Sequence, residues 1–164
     1  MRYNRVATYM ASMRKLKMAA VPSAKLLELA EFRYRLRRFL SFSEAASEAV
    51  GISAQQYQLL QVIAAVPGGQ ERSISYIAER MLLRHNSAVE LVDRAQRLDL
   101  VRRVADESDH RRALLEITER GSQLLSYLVA EHLKEIEANG PEMSRALQRL
   151  TSGRAAVAKR VGER

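Results

Sequence analysis

The chain has 164 residues, 47% hydrophobic and 28% charged, which suits one globular domain with a sizeable core and excludes an intrinsically unfolded chain. It has no Cys, which excludes disulfides, thiol redox sensing, Cys-ligated zinc and a Cys nucleophile; with no Trp and 5% aromatic residues, it also lacks the makings of a base-stacking platform for single strands. The net charge of +8 points to a polyanionic partner, but five of those charges (Arg2, Arg5, Arg14, Lys15, Lys17) lie in the acid-free stretch 1–22, and residues 51–121 are neutral in sum.

Residues 1–22 form a basic N-terminal arm without the apolar centre of a secretory signal. Such an arm suits phosphate tracking, a dimer strap or an unfolded tail alike. No apolar run approaches the roughly 18 residues of a membrane span. Ser23, after Pro22, is a fitting N-cap for one long helix over 24–50. Its apolar surface comprises Leu26, Leu27, Ala30, Tyr34, Leu36, Leu40 and Ala45, and Gly51 stops it at the C′ position. Ser53-Ala54-Gln55-Gln56 is a capping box, in which Ser53 bonds the third helical N–H and Gln56 reaches back. Tyr57, Leu60, Ile63 and Ala64 keep helical spacing until Pro67-Gly68-Gly69.

A short helix is expected over 75–82, carrying Ile77, Ala78 and Met81. After a turn at 83–85, another runs to about Leu98 with Ala88, Leu91, Val92, Ala95 and Leu98 inward. The period then changes. Leu100–Val104 and Ala113–Ile117 read as a hairpin around the charged turn 106–112. Thr118-Glu119-Arg120-Gly121 opens a helix with the stripe Leu124, Leu125, Leu128, Val129, His132, Leu133 and Ile136. Asn139-Gly140-Pro141 is expected to end it, with a last helix from Glu142 carrying Met143, Leu147 and Leu150. The fold class is mainly α with a small β-hairpin wing. A helix-turn-helix followed at once by a hairpin is the winged helix-turn-helix order, in which the second helix enters a major groove.

The stretch Asp106-Glu107-Ser108-Asp109-His110-Arg111-Arg112-Ala113-Leu114-Leu115-Glu116-Ile117-Thr118-Glu119-Arg120-Gly121 resembles the wing of MarR-type regulators, Asp-x-Arg-Asp-x-Arg followed by Leu-Thr-x-x-Gly. Asp106, Asp109, Arg111, Thr118 and Gly121 fall on the motif, whereas Ser108 replaces its first Arg and Ile117 its Leu. Upstream, Ile77-Ala78-Glu79-Arg80, Leu91-Val92-Asp93-Arg94 and Leu100-Val101-Arg102-Arg103 resemble the family's helix-turn-helix and first wing strand. The similarity extends over about residues 24–138. Leu82 and Asp99 stand where the family usually has Gly, and Asp tolerates a left-handed turn better than most residues.

The resemblance implies a bacterial, cytoplasmic and nucleoid-associated transcription regulator. It would be a repressor that is not an enzyme and needs no cofactor or metal. Residues 51–117 would be the DNA-binding lobe, and 23–50 with 118–164 the helical dimerisation region of a homodimer. The partners implied are double-stranded DNA with an inverted repeat, a second copy of the chain and a small aromatic or lipophilic effector, with no membrane. Arg84, His85, Asn86, Ser87, Glu90 and Arg94 are the major-groove candidates: Asn suits adenine, Arg suits guanine, and Glu accepts from cytosine or orients Arg94. The competing structural reading is that Asn86 or Ser87 caps the helix and the charges form a solvated face.

Arg111, with Asp109 and Arg112, is the wing candidate for a narrow minor groove, and an Asp109–Arg111 pair would also rigidify the turn. Ser53, Gln55, Ser73 and Ser75 at helix starts, and Arg103, are candidates for the DNA backbone, while Arg102, Arg103 and Arg112 either touch phosphates or position the wing. Arg33, Tyr34, Arg37, Arg38, Phe42 and Tyr57 are tentative effector-pocket residues. His85, His110 and His132 lack metal-ligand spacing, and His132 reads as a satisfied interface histidine. The neutral centre leaves an alternative, a winged helix used as a protein-interaction or dimerisation module with weak DNA affinity.

Overall fold

A computed structural model describes residues 23–68, 70–105 and 113–161. Their order is α1 (Ser23–Ala49), α2 (Ala54–Ala64), α3 (Ile74–Arg80), α4 (His85–Arg97), β1 (Val101–Ala105), β2 (Ala113–Ile117) and α5 (Glu119–Val161). The described chain is mainly helical with one antiparallel hairpin, in the winged helix-turn-helix order. It divides into two compact units, Arg37–Pro141 and Met1–Leu36 with Glu142–Arg164. The described part of the second unit consists of two helical segments.

Helix ends in the first unit are set by backbone hydrogen bonding. At the end of α1, Gly51 N–H donates to Glu48 O (2.9 Å) and Ile52 N–H to Ser47 O (3.1 Å), with Gly51 at φ +80°. Helix α3 closes identically through Leu82 N–H to Glu79 O and Leu83 N–H to Ala78 O; α4 closes through Asp99 N–H to Gln96 O and Leu100 N–H to Ala95 O. This paired closure needs a left-handed residue at its centre. Gly51 supplies it freely, whereas Leu82 (φ 56°) and Asp99 (φ 54°) adopt it against the steric preference of a Cβ. At the start of α2 the expected capping box is formed: Ser53 Oγ accepts from Gln56 N–H, and Ser53 N–H donates to Gln56 Oε1 at 2.8 Å.

The core gathers Ile52, Tyr57, Leu59, Leu60, Ile63, Ile77, Ala88, Leu91, Val92, Ala95, Leu100, Val101, Leu115 and Leu128. Each large aliphatic side chain so buried contributes about 1.5–3 kcal/mol. In α2 the buried set includes Leu59, while Ala64, expected inward, is exposed. The apolar surface expected on α1 is exposed, with Leu26, Leu27, Tyr34, Leu36 and Leu40 all facing outward, and Leu29, outside that set, is exposed as well. Leu133, Ile136 and Leu147 of α5 are exposed too.

Hairpin pairing runs from Val101↔Ile117 to Ala105↔Ala113. A further contact absent from the sequence reading joins it: Ser73 bridges Leu114, and Leu115 N–H donates to Arg72 O at 2.9 Å. At the hairpin's other end, Thr118 caps α5. Its Oγ1 accepts from Gly121 N–H (3.0 Å) and donates to Asp99 O (2.6 Å), while its N–H donates to Leu100 O. A Cβ on Gly121 would collide with Leu100 O and lie 2.9 Å from Ile117 Cγ2. The Thr-x-x-Gly motif is thus a helix cap plus a close approach.

The break expected at Asn139-Gly140-Pro141 does not occur, and α5 runs through Pro141 to Val161. Proline removes one helical hydrogen bond, a cost of about 3 kcal/mol. Packing in the second unit offsets it. Ala146 is fully buried, Glu142 pairs with Arg35, and Lys25 Nζ donates to the carbonyls of Arg149 and Leu150. The proline instead marks the boundary between the two units.

Two substitutions test the backbone account in opposite directions. Leu82→Gly, at an exposed side chain, is expected to raise unfolding free energy by about 0.5–1 kcal/mol by releasing the left-handed strain. Gly121→Ala is expected to lower it by about 1–3 kcal/mol through overpacking. Urea denaturation measures both, and the same sign for the two would contradict this account.

Candidate nucleic-acid interface

Helix α4 is two-faced. Ala88, Leu91, Val92 and Ala95 are buried on one side; Arg84, His85, Asn86, Ser87, Glu90 and Arg94 are all exposed. The N-cap is Arg84 in extended conformation (φ −73°, ψ 151°), and no side chain caps the helix. Asn86 and Ser87 are therefore the second and third helical residues, and neither is the cap. Among the described residues, none of these six exposed side chains has a hydrogen bond or ion pair within the chain. The first-turn N–H groups and the helix dipole add a site favourable to anions at the same end.

Charge that cancels along the sequence does not cancel on this surface. Arg80, Arg84, Arg94 and Arg97 are exposed and unpaired among the described residues, whereas Asp93 is engaged by Arg103. Arg97 was not singled out in the sequence. Its signal is helical spacing, three residues after Arg94 and seven after Glu90, which puts it on the same outward face.

Both basic residues at the hairpin base have partners within the chain. Arg102 Nε and Nη2 donate to Glu116 Oε2 (2.9 and 2.7 Å) across the strands. Arg103 Nη1 donates to Gln96 Oε1 and Nη2 to Asp93 Oδ1, each at 2.6 Å. Asp109, Arg111 and Arg112 of the wing turn, with His110, lie outside the described residues. Ser53 and Ser73 are side-chain N-caps of α2 and α3; Gln55 and Ser75 are exposed in the first turns of those helices.

The tentative effector residues are dispersed. Arg33 and Tyr34 belong to the second unit, and Arg37 and Arg38 are exposed. Within the first unit a cleft of about 390 Å³ is lined by Phe39, Ser43, Glu44, Gln55, Tyr57 and His132, among others. His132 is buried at its floor. Its Nδ1–H donates to Leu128 O (2.7 Å), its Nε2 accepts from Ser43 Oγ (2.9 Å), and the rings of Tyr57, Phe42 and Phe39 lie 4.5, 5.3 and 5.9 Å away. Tyr57 thus joins the cleft directly, and Phe42 supports it from behind through His132. Among the described residues, no group of three His, Cys, Asp or Glu side chains is placed to hold a metal ion, and no helix is long and apolar enough to cross a membrane.

Burial raises the Tyr57 phenol above its usual 10.0. The folded state therefore holds this proton more tightly than the unfolded state does. The associated stability is fully present below pH 10 and is lost as pH rises through the folded value. Tyr57→Phe, which cannot ionise, is expected to flatten the alkaline loss. Urea unfolding between neutral and strongly alkaline pH tests this, and an unchanged slope would refute it.

Residues 50–112 match the MarR family model. No curated protein sequence matches the chain. Among solved structures, AbsC, a MarR family transcriptional regulator from Streptomyces coelicolor, aligns with a TM-score of 0.66 at 16% identity, covering 88% of this chain and 98% of AbsC. A MarR family protein from Bacillus stearothermophilus aligns at 0.60 with 19% identity over 87% of this chain and 93% of its own. A mutant of Staphylococcus aureus MepR bound to an oligodeoxyribonucleotide aligns at 0.57 with 18% identity over 74% and 94%. Those identities establish a shared fold; the sequence match falls on the helix-turn-helix and the wing. Over residues 50–112 the chain is similar to the MarR family, and it shares the fold of solved MarR family regulators.

Proposed function

We propose that the protein is a homodimeric repressor that binds an inverted-repeat DNA site in the bacterial cytoplasm and is released by a small aromatic or lipophilic ligand. One observation carries the DNA claim: the face of α4 from Arg84 to Arg94 is exposed, uncapped and without partners among the described residues. Donors and acceptors left unspent on a rigid helix suit the major groove. There Asn86 reads adenine, Arg84 and Arg94 read guanine, and Glu90 accepts from cytosine or orients Arg94. His85 and Ser87 supplement these contacts. Arg111, with Asp109 and Arg112, serves the wing, and Ser53, Gln55, Ser73 and Ser75 position the DNA backbone at helix starts. The oligonucleotide complex of MepR, a protein of the same fold, supports this use.

The homodimer is supported by the exposed apolar residues Leu26, Leu27, Leu36 and Leu40 of α1 and Leu133 and Ile136 of α5, which a second copy would cover. Two-fold symmetry predicts half-sites about one helical turn apart. The His132 cleft is the proposed effector site, because it combines aromatic walls with a few polar groups.

Selection of bound sequences from random duplex DNA is expected to return an inverted repeat, and the absence of any preferred sequence would overturn the DNA claim. Asn86→Ala should cost about 1–3 kcal/mol on the selected site and relax one base position per half-site. Leu133→Glu is expected to shift sedimentation from dimer toward monomer by placing a charge in an apolar interface; an unchanged dimer would exclude Leu133 from it.

A further inference from the structure

We propose that Arg103 is a positioning residue for DNA binding, clamping the wing strand to the recognition helix through Asp93 and Gln96. This rests on the DNA-binding function proposed above. Asp93 poses the question. An acid on a helix meant to face phosphates opposes binding, and it lies on the exposed side of α4, near Arg97 and Glu90. The geometry supplies a reason for its presence. Two nitrogens of one guanidinium reach Asp93 Oδ1 and Gln96 Oε1, each at 2.6 Å. A planar fork with two fixed acceptors sets the orientation of a strand as a single-donor contact does not.

The neighbouring residue supports the assignment. Strand residues alternate faces, and Arg102 ties β1 to β2 through Glu116. Arg103 is paired in register with Leu115, which is fully buried, so the Arg103 side chain leaves the inward face of the hairpin and is half-buried beside α4. One arginine therefore stiffens the hairpin, and the next ties the stiffened hairpin to the helix. An isolated surface ion pair contributes little to global stability. The clamp's effect is instead on the angle between two DNA-contacting elements.

The test compares Arg103→Met, Arg103→Lys, Asp93→Ala and the Arg103→Met/Asp93→Ala double variant on the selected operator and on random-sequence duplex. A clamp predicts that Asp93→Ala weakens operator binding about tenfold although it removes a negative charge. Arg103→Met should do likewise, the double variant should be no worse than either single, and random-sequence binding should change little. Arg103→Lys keeps the charge but not the fork, and should fall with the others. The proposal is overturned if Arg103→Met weakens operator and random DNA by one common factor while Arg103→Lys is silent and Asp93→Ala tightens binding, the pattern of a phosphate contact.

A second measurement needs no DNA. Amide exchange over Val101–Ala105 should quicken in Arg103→Met and Asp93→Ala at unchanged melting temperature, and unchanged exchange would also overturn the clamp. If the wild-type chain prefers no sequence, the DNA-binding function fails, and the exchange result still decides the clamp.

Discussion

The carbonyls of Asp99 and Leu100 are the point on which the architecture turns. Asp99 O accepts the Thr118 hydroxyl, and Leu100 O accepts the Thr118 N–H and sits against the bare Cα of Gly121. Four elements meet there: the end of α4, the start of β1, the end of β2 and the first turn of α5. Each hydrogen bond alone is worth about 1 kcal/mol. Their geometry matters more, because it allows α5 to begin only where α4 ends. A residue with a Cβ at 121 would push that junction apart.

From this junction the electrostatics of the interface follow. A chain that is neutral over 51–121 would be a poor ligand for phosphates if its charges were scattered. The fold sorts them instead. Arg102 and Arg103 consume Glu116 and Asp93 at the hairpin base, which leaves Arg80, Arg84, Arg94 and Arg97 unpaired among the described residues. Two acids are thus paired with arginines of the hairpin, and other arginines have no partner among the described residues. Net charge by segment does not reveal this, because it weighs a clamped arginine and a free one equally.

Element order, the Ser53 capping box and the hairpin were legible because each rests on a local pattern of period or spacing. What was misread depends on contacts distant in sequence. Pro141 looked like a terminus because it ends isolated helices; here Ala146, the Arg35–Glu142 pair and Lys25 hold the stretch of helix that follows it. The bridge from Ser73 to Leu114 spans 41 positions, and one residue pair leaves no alternation to detect. The acceptors of Arg103, Asp93 and Gln96, could not be named from its own strand because they lie on a helix. In the site, the exposed face of α4 was legible from its amphipathic period, apart from Arg97. The cleft at His132 was not, since it depends on where His132 of α5 meets Phe39 and Tyr57.

The two left-handed residues bracket α4, with Leu82 two residues before its N-cap and Asp99 just after its C-cap. Both occupy positions where MarR-type chains usually carry glycine, and each costs about 1–2 kcal/mol of backbone strain. The paired hydrogen bonds form nonetheless, from Leu82 and Leu83 to Glu79 and Ala78, and from Asp99 and Leu100 to Gln96 and Ala95. Helix placement is therefore enforced by backbone bonding and by the burial of Leu100 and the half-burial of Leu83, and glycine is a convenience at these sites rather than a requirement. Gly121 is different, because there the constraint is the absence of a Cβ against a carbonyl. Departure from a family glycine can thus leave the geometry intact where the demand is conformational, and disrupts it where the demand is space.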